Sequence, residues 1–185
     1  MKVEVKQITG WDRCLTACKF TSRRDMDELP SEKTPTPNWI NRIIRAGHSP
    51  IRLVTYDIYL FGVETDVATH LARHHVGVEK FILSNRDDRG GLPPEQVNRL
   101  TPVNMMINLN AEAVKNISHA RLCKKAAERT RKHWVGVSKE MKKVDPIMAK
   151  HMVPMCVHLG FCPEMQSCGY CNTKHYERER KKYIE

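Results

Sequence analysis

The sequence has no hydrophobic run long enough to cross a membrane, and its first residues, MKVEVKQITG, lack the apolar stretch of a signal peptide. These absences argue against a membrane protein and against export. The seven cysteines are therefore expected to be free thiols or metal ligands more than disulfides. We expect a soluble protein of the cytoplasm.

Acidic and aromatic residues are also scarce. There are 21 Asp and Glu against 31 Lys and Arg, which gives a formal net charge of +10. This excess favours anionic partners such as phosphates, nucleotides, folate carboxylates or nucleic acid, and it does not choose among them. Aromatic residues make up 6% of the chain. That scarcity speaks against a single-strand nucleic-acid binder, because such proteins stack bases on aromatic rings.

The 185 residues contain no internal repeat and suit one main domain with its own core. Alternating apolar residues predict strands in KVEVKQI and PIRLVTYDIYLFG. Helical spacing predicts helices in WDRCLTACKFTS, NWINRIIRAG and VETDVATHLARHH, and a long helical region from Asn110 to Val144. Loops are expected at DELPSEKTPTP and SNRDDRGGLPPEQ.

The segment VATHLARHH places His70 and His74 four residues apart, on one face of a helix. Two histidines suit a metal ion, whereas an arginine beside histidines suits a phosphate or a polar ring. A solvated surface would show the same pattern. These three interpretations stay open on residue types alone.

Together with their neighbours, these residues resemble the flavin-dependent thymidylate synthases. GHSP at 47–50 and, after a strand and a helix, RHH at 73–75 match the family's Gly-His and Arg-His-Arg motifs in order and spacing. In NAEAVKNISHARL, Asn110, Asn116 and Arg121 lie at the offsets of two family asparagines and an arginine. ACKFTS is similar to an early Ala-Arg-x-Ser segment of the family.

The resemblance covers roughly residues 11–134 and implies an α+β homotetramer, with an antiparallel sheet packed against long helices and FAD bound between subunits. It implies reductive methylation of a pyrimidine nucleotide such as dUMP, with methylenetetrahydrofolate and NADPH as co-substrates; the flavin carries the hydride and the protein orients the reactants. The flavin-binding residues that it implies are Thr21, His48, Pro50, Arg73, His74, His75, Asn110 and Asn116. The catalytic and substrate-binding residues that it implies are His70 and Arg121.

The helical region from Asn110 carries polar residues on more than one face. Asn110 and Arg121 share a face, whereas Asn116 and His119 point elsewhere. Polar residues on two faces favour a helix that serves two sites across a subunit interface. Simple exposure of Asn116 and His119 is the alternative.

The sequence departs from the family pattern where the substrate should bind. His75 replaces an arginine, and VGVEKFILSNRDDRG matches the family's substrate loop only after a shift. Glu79, Ser84 and Arg86 are then the expected substrate-binding counterparts of its glutamate, serine and arginine. A pyrimidine nucleotide other than dUMP, hydroxymethylation in place of methylation, and loss of activity are therefore alternatives.

The last residues lie outside the resemblance. We expect a thymidylate synthase-like domain at 1–150 and a cysteine-rich, charged extension at 151–185. Thiolates suit zinc and iron–sulfur clusters, so the C-x5-C-x5-C-x2-C pattern predicts one metal site, with free thiols as the alternative. Its ligands would be Cys156, Cys162, Cys168 and Cys171.

Two rival hypotheses remain at the level of sequence. The candidate metal knuckle and the basic stretch RLCKKAAERTRKHW are typical of a nucleic-acid-binding module. Alternatively, the chain is an interaction protein that has kept the fold and lost the chemistry.

Overall fold

The computed structural model describes residues 2–22, 33–84, 88 and 90–185. The strands are β1 (Lys2–Thr9), β2 (Thr55–Glu64), β3 (Val78–Ile82) and β4 (Pro102–Asn110). The α-helices are α1 (Trp11–Ser22), α2 (Pro37–Ala46), α3 (Thr65–Ala72), α4 (Ala111–Arg121), α5 (Glu128–Val144), α6 (Pro146–Lys150), α7 (Met155–Leu159) and α8 (Lys174–Ile184). Short 3-10 helices lie at Ser49–Leu53, Pro94–Gln96 and Tyr170–Asn172.

The four strands form one antiparallel sheet in the order β1-β2-β4-β3. Side chains alternate between its two faces, and the apolar set from β2 and β4 is buried under the helices. Tyr56, Ile58 and Leu60 of β2 and Ile107 and Leu109 of β4 are each at most 1% exposed. The α+β class and the antiparallel sheet packed with helices are thus confirmed.

The ends of α2 follow from its sequence. The Thr36 side chain accepts a hydrogen bond from the backbone N–H of Trp39, and Pro37 occupies the first turn, where a missing N–H has no cost. Gly47 ends the helix in the left-handed conformation, at φ 67°. This cap turns the chain into the GHSP segment.

The helical region expected from Asn110 to Val144 is two helices. Asn110 ends β4 and caps α4, and residues 122–127 separate α4 from α5. Strands β3 and β4 were not predicted, although β4 buries alternate residues. The strand predicted from Pro50 begins at Thr55, because a 3-10 helix precedes it, and Val63 belongs to β2 instead of the following helix.

The C-terminal residues pack around a small apolar cluster of their own. The main core extends to Met152, and a second cluster begins at Val153. The cysteine-rich segment contains α7, and the charged tail forms α8. Within the described ranges, no helix combines the length and the apolarity needed to cross a membrane.

Candidate functional site

A basic cluster forms where the end of α4 meets the end of α3. The Arg121 Nε donates a hydrogen bond to Nε2 of His74 at 2.9 Å, and its guanidinium NH2 donates to the His70 carbonyl at 2.8 Å. These residues are 47 and 51 positions apart in sequence. The structure therefore brings together two segments that the sequence matched to the family separately.

His74 is held neutral in this cluster. Burial, followed by the charges of Arg121, Lys80 and His75, lowers the pKa of His74 to about 4. Because Nε2 accepts from Arg121, the ring proton lies on Nδ1. Burial and the nearby charge of Arg73 also lower the pKa of Arg121.

Lys80 belongs to the same cluster and was missed in the sequence. Its Nζ donates to the carbonyl oxygens of Ala72 and His74, at 3.0 and 2.6 Å, and to Nδ1 of His75 at 3.1 Å. Glu79, its neighbour on β3, is exposed on the opposite face of the strand. Within one chain, the lysine and not the predicted glutamate faces the histidines.

His70 is positioned by a second residue that the sequence did not reveal. Its Nδ1 lies 2.8 Å from Oγ1 of Thr130, which is fully buried at the start of α5. This contact fixes the ring and leaves Nε2 for another partner. The long-range contact between α3 and α5 has no signature in the local sequence.

Asn110 has a structural task in this chain. Its Oδ1 caps α4 by accepting from the backbone N–H of Ala113 at 2.9 Å. Its amide also fills the space beside Gly77, where a Cβ atom would lie 2.3 Å from Nδ2. Asn110 thus fixes α4 against the turn that follows RHH.

A groove with a volume of about 640 Å³ lies between the end of α1, α2 and the GHSP segment. We call it the α1–α2 groove. It contains three of the residues that the resemblance assigns to the flavin, namely Thr21, His48 and Pro50, and it adds Trp39 and Arg42. Hydroxyl, imidazole and guanidinium groups beside an indole suit a ligand that carries both phosphates and flat rings. This donor set fits FAD.

The remaining predicted residues are scattered or undescribed. Arg73 and His75 are exposed at the rim of the basic cluster, and Asn116 is exposed on α4. Ser84 follows the end of β3, and the structure gives it no contact with the cluster. Arg86 lies outside the described residues.

His119 does not share the exposure of Asn116. It is 4% exposed, and its ring stacks on His158 of α7 with the ring centroids 4.7 Å apart. The second polar face of α4 is therefore partly covered by the C-terminal segment of the same chain. Burial, then His158 and Lys115, lower the pKa of His119 to about 3.

The four C-terminal cysteines are only partly gathered. The thiol of Cys171 is within hydrogen-bonding reach of those of Cys156 and Cys162, whereas Cys168 is exposed. Across the described part of the chain, no three His, Cys, Asp or Glu side chains are arranged to hold a metal ion. The four-cysteine metal site stays a prediction.

The fold is that of the flavin-dependent thymidylate synthases known as ThyX. The chain is similar to thymidylate synthase X from Helicobacter pylori, solved with FAD and dUMP, with a TM-score of 0.59 and 12% identity over 76% of this chain and 93% of that one. A second structure of that enzyme, also with FAD and dUMP, gives a TM-score of 0.56 and 13% identity over the same shares of the two chains.

The chain is also similar to the UMP/dUMP methylase PolB from Streptomyces cacaoi, solved with 5-Br dUMP. The TM-score is 0.59 and the identity 11%, over 81% of this chain and 94% of that one. No protein-family model matches the sequence, and no curated protein matches it significantly. At these identities the likeness establishes the fold.

Proposed function

We propose that this protein is an FAD-dependent enzyme that transfers a one-carbon group to a pyrimidine nucleotide such as dUMP, with methylenetetrahydrofolate as the carbon donor and NADPH as the reductant. The observation that carries the proposal is the contact of Arg121 with His70 and His74. It joins the two motifs that resemble the family, within the fold that ThyX and PolB share.

We propose that the guanidinium of Arg121 binds the nucleotide. His74 and the His70 carbonyl each take one of its N–H groups, and no described carboxylate contacts it. Its other donors can hold an anionic oxygen through charge-assisted hydrogen bonds. As the pyrimidine ring accepts carbon, the same guanidinium can stabilise negative charge on a ring oxygen.

His70 and Lys80 are assigned supporting roles. With its Nδ1 side fixed by Thr130, His70 can present Nε2 to a carbonyl or N–H of the pyrimidine. Lys80 holds the chain at His74 and His75 and adds positive charge near an incoming phosphate.

The α1–α2 groove is the proposed flavin site, in which His48, Thr21 and Arg42 would hold FAD. When bound, FAD supplies hydride transfer. The groove and the basic cluster share no residue. We therefore propose that each active site combines the groove of one subunit with the cluster of another, in a homotetramer that also uses Arg73, His75, Asn110 and Asn116.

The test begins with the absorbance spectrum of the purified protein and identification of any flavin released by denaturation. Protein reconstituted with FAD is then incubated with methylenetetrahydrofolate, NADPH and, separately, dUMP, UMP or dCMP. The product mass distinguishes methylation from hydroxymethylation. A protein that binds neither FAD nor any of these nucleotides would overturn the proposal, and one that binds them without turnover would be a family fold without its chemistry.

We also propose that the four C-terminal cysteines bind one zinc ion in the extension formed by residues 151–185. The thiol contacts of Cys171 with Cys156 and Cys162 favour this. Elemental analysis of protein prepared without chelators tests it. A zinc content unchanged by Cys171→Ser would contradict the assignment.

A further inference from the structure

The lysines of α5 fall into two groups. Lys132 and Lys143 are paired with acids on their own helix, Glu128 and Glu140, with N–O distances of 2.8 and 2.7 Å. Lys139 lies between Lys132 and Lys143 on nearly the same stripe of the helix, and Lys142 lies roughly 90° away from it. Within the described residues neither Lys139 nor Lys142 has an ion-pair partner, and both line a groove.

This basic groove runs between α5 and the C-terminal segment and has a volume of about 310 Å³. Four cationic side chains line it. It shares Ser138, Lys142, Met152 and Glu179 with an adjoining groove of about 450 Å³, which adds Lys150 and Lys182. The cations of the first groove are Lys124, Arg131, Lys139 and Lys142.

The groove offers little negative charge of its own. Glu179 is the carboxylate among its described lining residues, and it accepts a hydrogen bond from the Tyr170 hydroxyl. That hydroxyl in turn accepts from Nδ1 of His175 at 2.7 Å.

The Nε of Arg131 is buried and has no described hydrogen-bond partner. Glu128 lies near enough for Arg131 to lower its pKa, but Lys132 has the larger effect.

We propose that this groove binds a small anion with at least two phosphate groups, such as a nucleoside triphosphate or inorganic triphosphate. Arginine and lysine together are the usual partners of phosphate oxygens. Arg131 and Lys142 are about 16 Å apart along the helix at 1.5 Å per residue, so a single phosphate would leave part of the charge unmatched. Both volumes lie in the range of small-ligand sites.

The test uses sodium triphosphate as the probe, at physiological salt, with binding followed by calorimetry and by thermal shift. Lys139→Gln/Lys142→Gln removes two groove charges. Lys132→Gln/Lys143→Gln removes the same net charge from the same helix outside the groove. We expect the first variant to bind triphosphate about tenfold or more weakly, and the second to bind within about twofold of the wild type.

Equal weakening in both variants would show that the net charge of the molecule attracts the probe, and it would overturn the proposal. So would the absence of triphosphate binding at millimolar concentration. An oligonucleotide that binds through Lys139 and Lys142 while triphosphate does not would show a nucleic-acid surface instead of the proposed site. The outcome does not depend on flavin content, so it is independent of the proposed activity.

Discussion

Arg121 has a geometry that lysine cannot reproduce. Its guanidinium donates to a ring nitrogen of His74 and to the His70 carbonyl from two different nitrogens, and the planar group still has donors left. An ammonium group has no fixed fork, so it can keep the charge without keeping the orientation. The role proposed for Arg121 depends on the shape of the group as well as its charge.

We therefore expect Arg121→Lys to keep the fold, the oligomer and bound FAD, yet to lose about 2–4 kcal/mol of transition-state stabilisation. The measurement is stopped-flow oxidation of the reduced flavin with each nucleotide that binds. Equal rates for the variant and the wild type, at saturating nucleotide, would show that Arg121 does not act on the substrate.

Gly77 is constrained both by its backbone and by its neighbour. Its φ is +68°, and a Cβ atom would lie 2.3 Å from the Asn110 amide. Gly62 offers a matched control, because its φ is +63° and a Cβ there would meet nothing within 4 Å.

For Gly62→Ala we expect a destabilisation of about 1 kcal/mol from the backbone alone. Gly77→Ala should cost about 2–3 kcal/mol, since it must also displace the side chain that caps α4. Urea unfolding of both variants measures the difference. An equal loss of unfolding free energy in Gly77→Ala and Gly62→Ala would mean that the Asn110 side chain moves aside without cost.

At the residue scale, the sequence pointed to the cluster residues that belong to a family motif, but not to the residues that hold them in place. Arg121, His74 and His70 could be matched to a pattern. Lys80 and Thr130 act only because the fold brings them to these histidines from β3 and α5. Contacts of this kind depend on tertiary structure and leave no local pattern. Glu79, matched to the family's glutamate only after a shift, lies on the face of β3 opposite to Lys80.

At the scale of elements, α4 is clamped between the sheet and the C-terminal segment. The clamp includes the stacked pair His119 and His158, and Nε2 of His119 is buried with no described hydrogen-bond partner. Burial, followed by His158 and Lys115, gives His119 a pKa of about 3. The folded state thus binds a proton there less readily than the unfolded chain does.

We expect this pair to make the protein acid-sensitive. A histidine with a lowered pKa in the folded state gives its full stability above about pH 6.5, and that stability falls as the pH drops towards 3. For His119 the loss is at most on the order of 5 kcal/mol, reached only below about pH 3. The free energy of unfolding, measured from pH 7.5 to pH 4, should decline less steeply in His119→Phe, which keeps a stacking ring. The same slope in both proteins would assign the acid sensitivity to other groups, such as His151.

The helices and strands could be predicted only in part from the sequence. The helices α1, α2 and α3 and strand β1 were predicted because each has clear periodicity or caps. Strand β4 also alternates, with Val103, Met105, Ile107 and Leu109 buried, but it runs directly into α4 and was not predicted. The break between α4 and α5 was hidden by a basic stretch with good helix formers on both sides.

At the scale of the whole molecule, the proposed active site is distributed. The α1–α2 groove holds His48, and the basic cluster holds Arg121, with no residue common to both. If flavin and nucleotide meet during the reaction, these surfaces must face each other. A symmetric oligomer can achieve this by placing the groove of one chain against the cluster of the next.

Subunit mixing tests this arrangement. His48→Ala should prevent flavin binding in its own groove, and Arg121→Lys should disable its own cluster, so each variant alone should be inactive. When the two variants are co-expressed and assemble at random, about a quarter of the sites should combine an intact groove from one chain with an intact cluster from another. We expect the mixed oligomer to recover activity in that proportion per subunit, which is about half of the wild-type activity per bound flavin, because only half of the grooves then hold flavin. If both residues served the same site from one chain, no mixed site would be intact, and the mixture would stay as inactive as its parents.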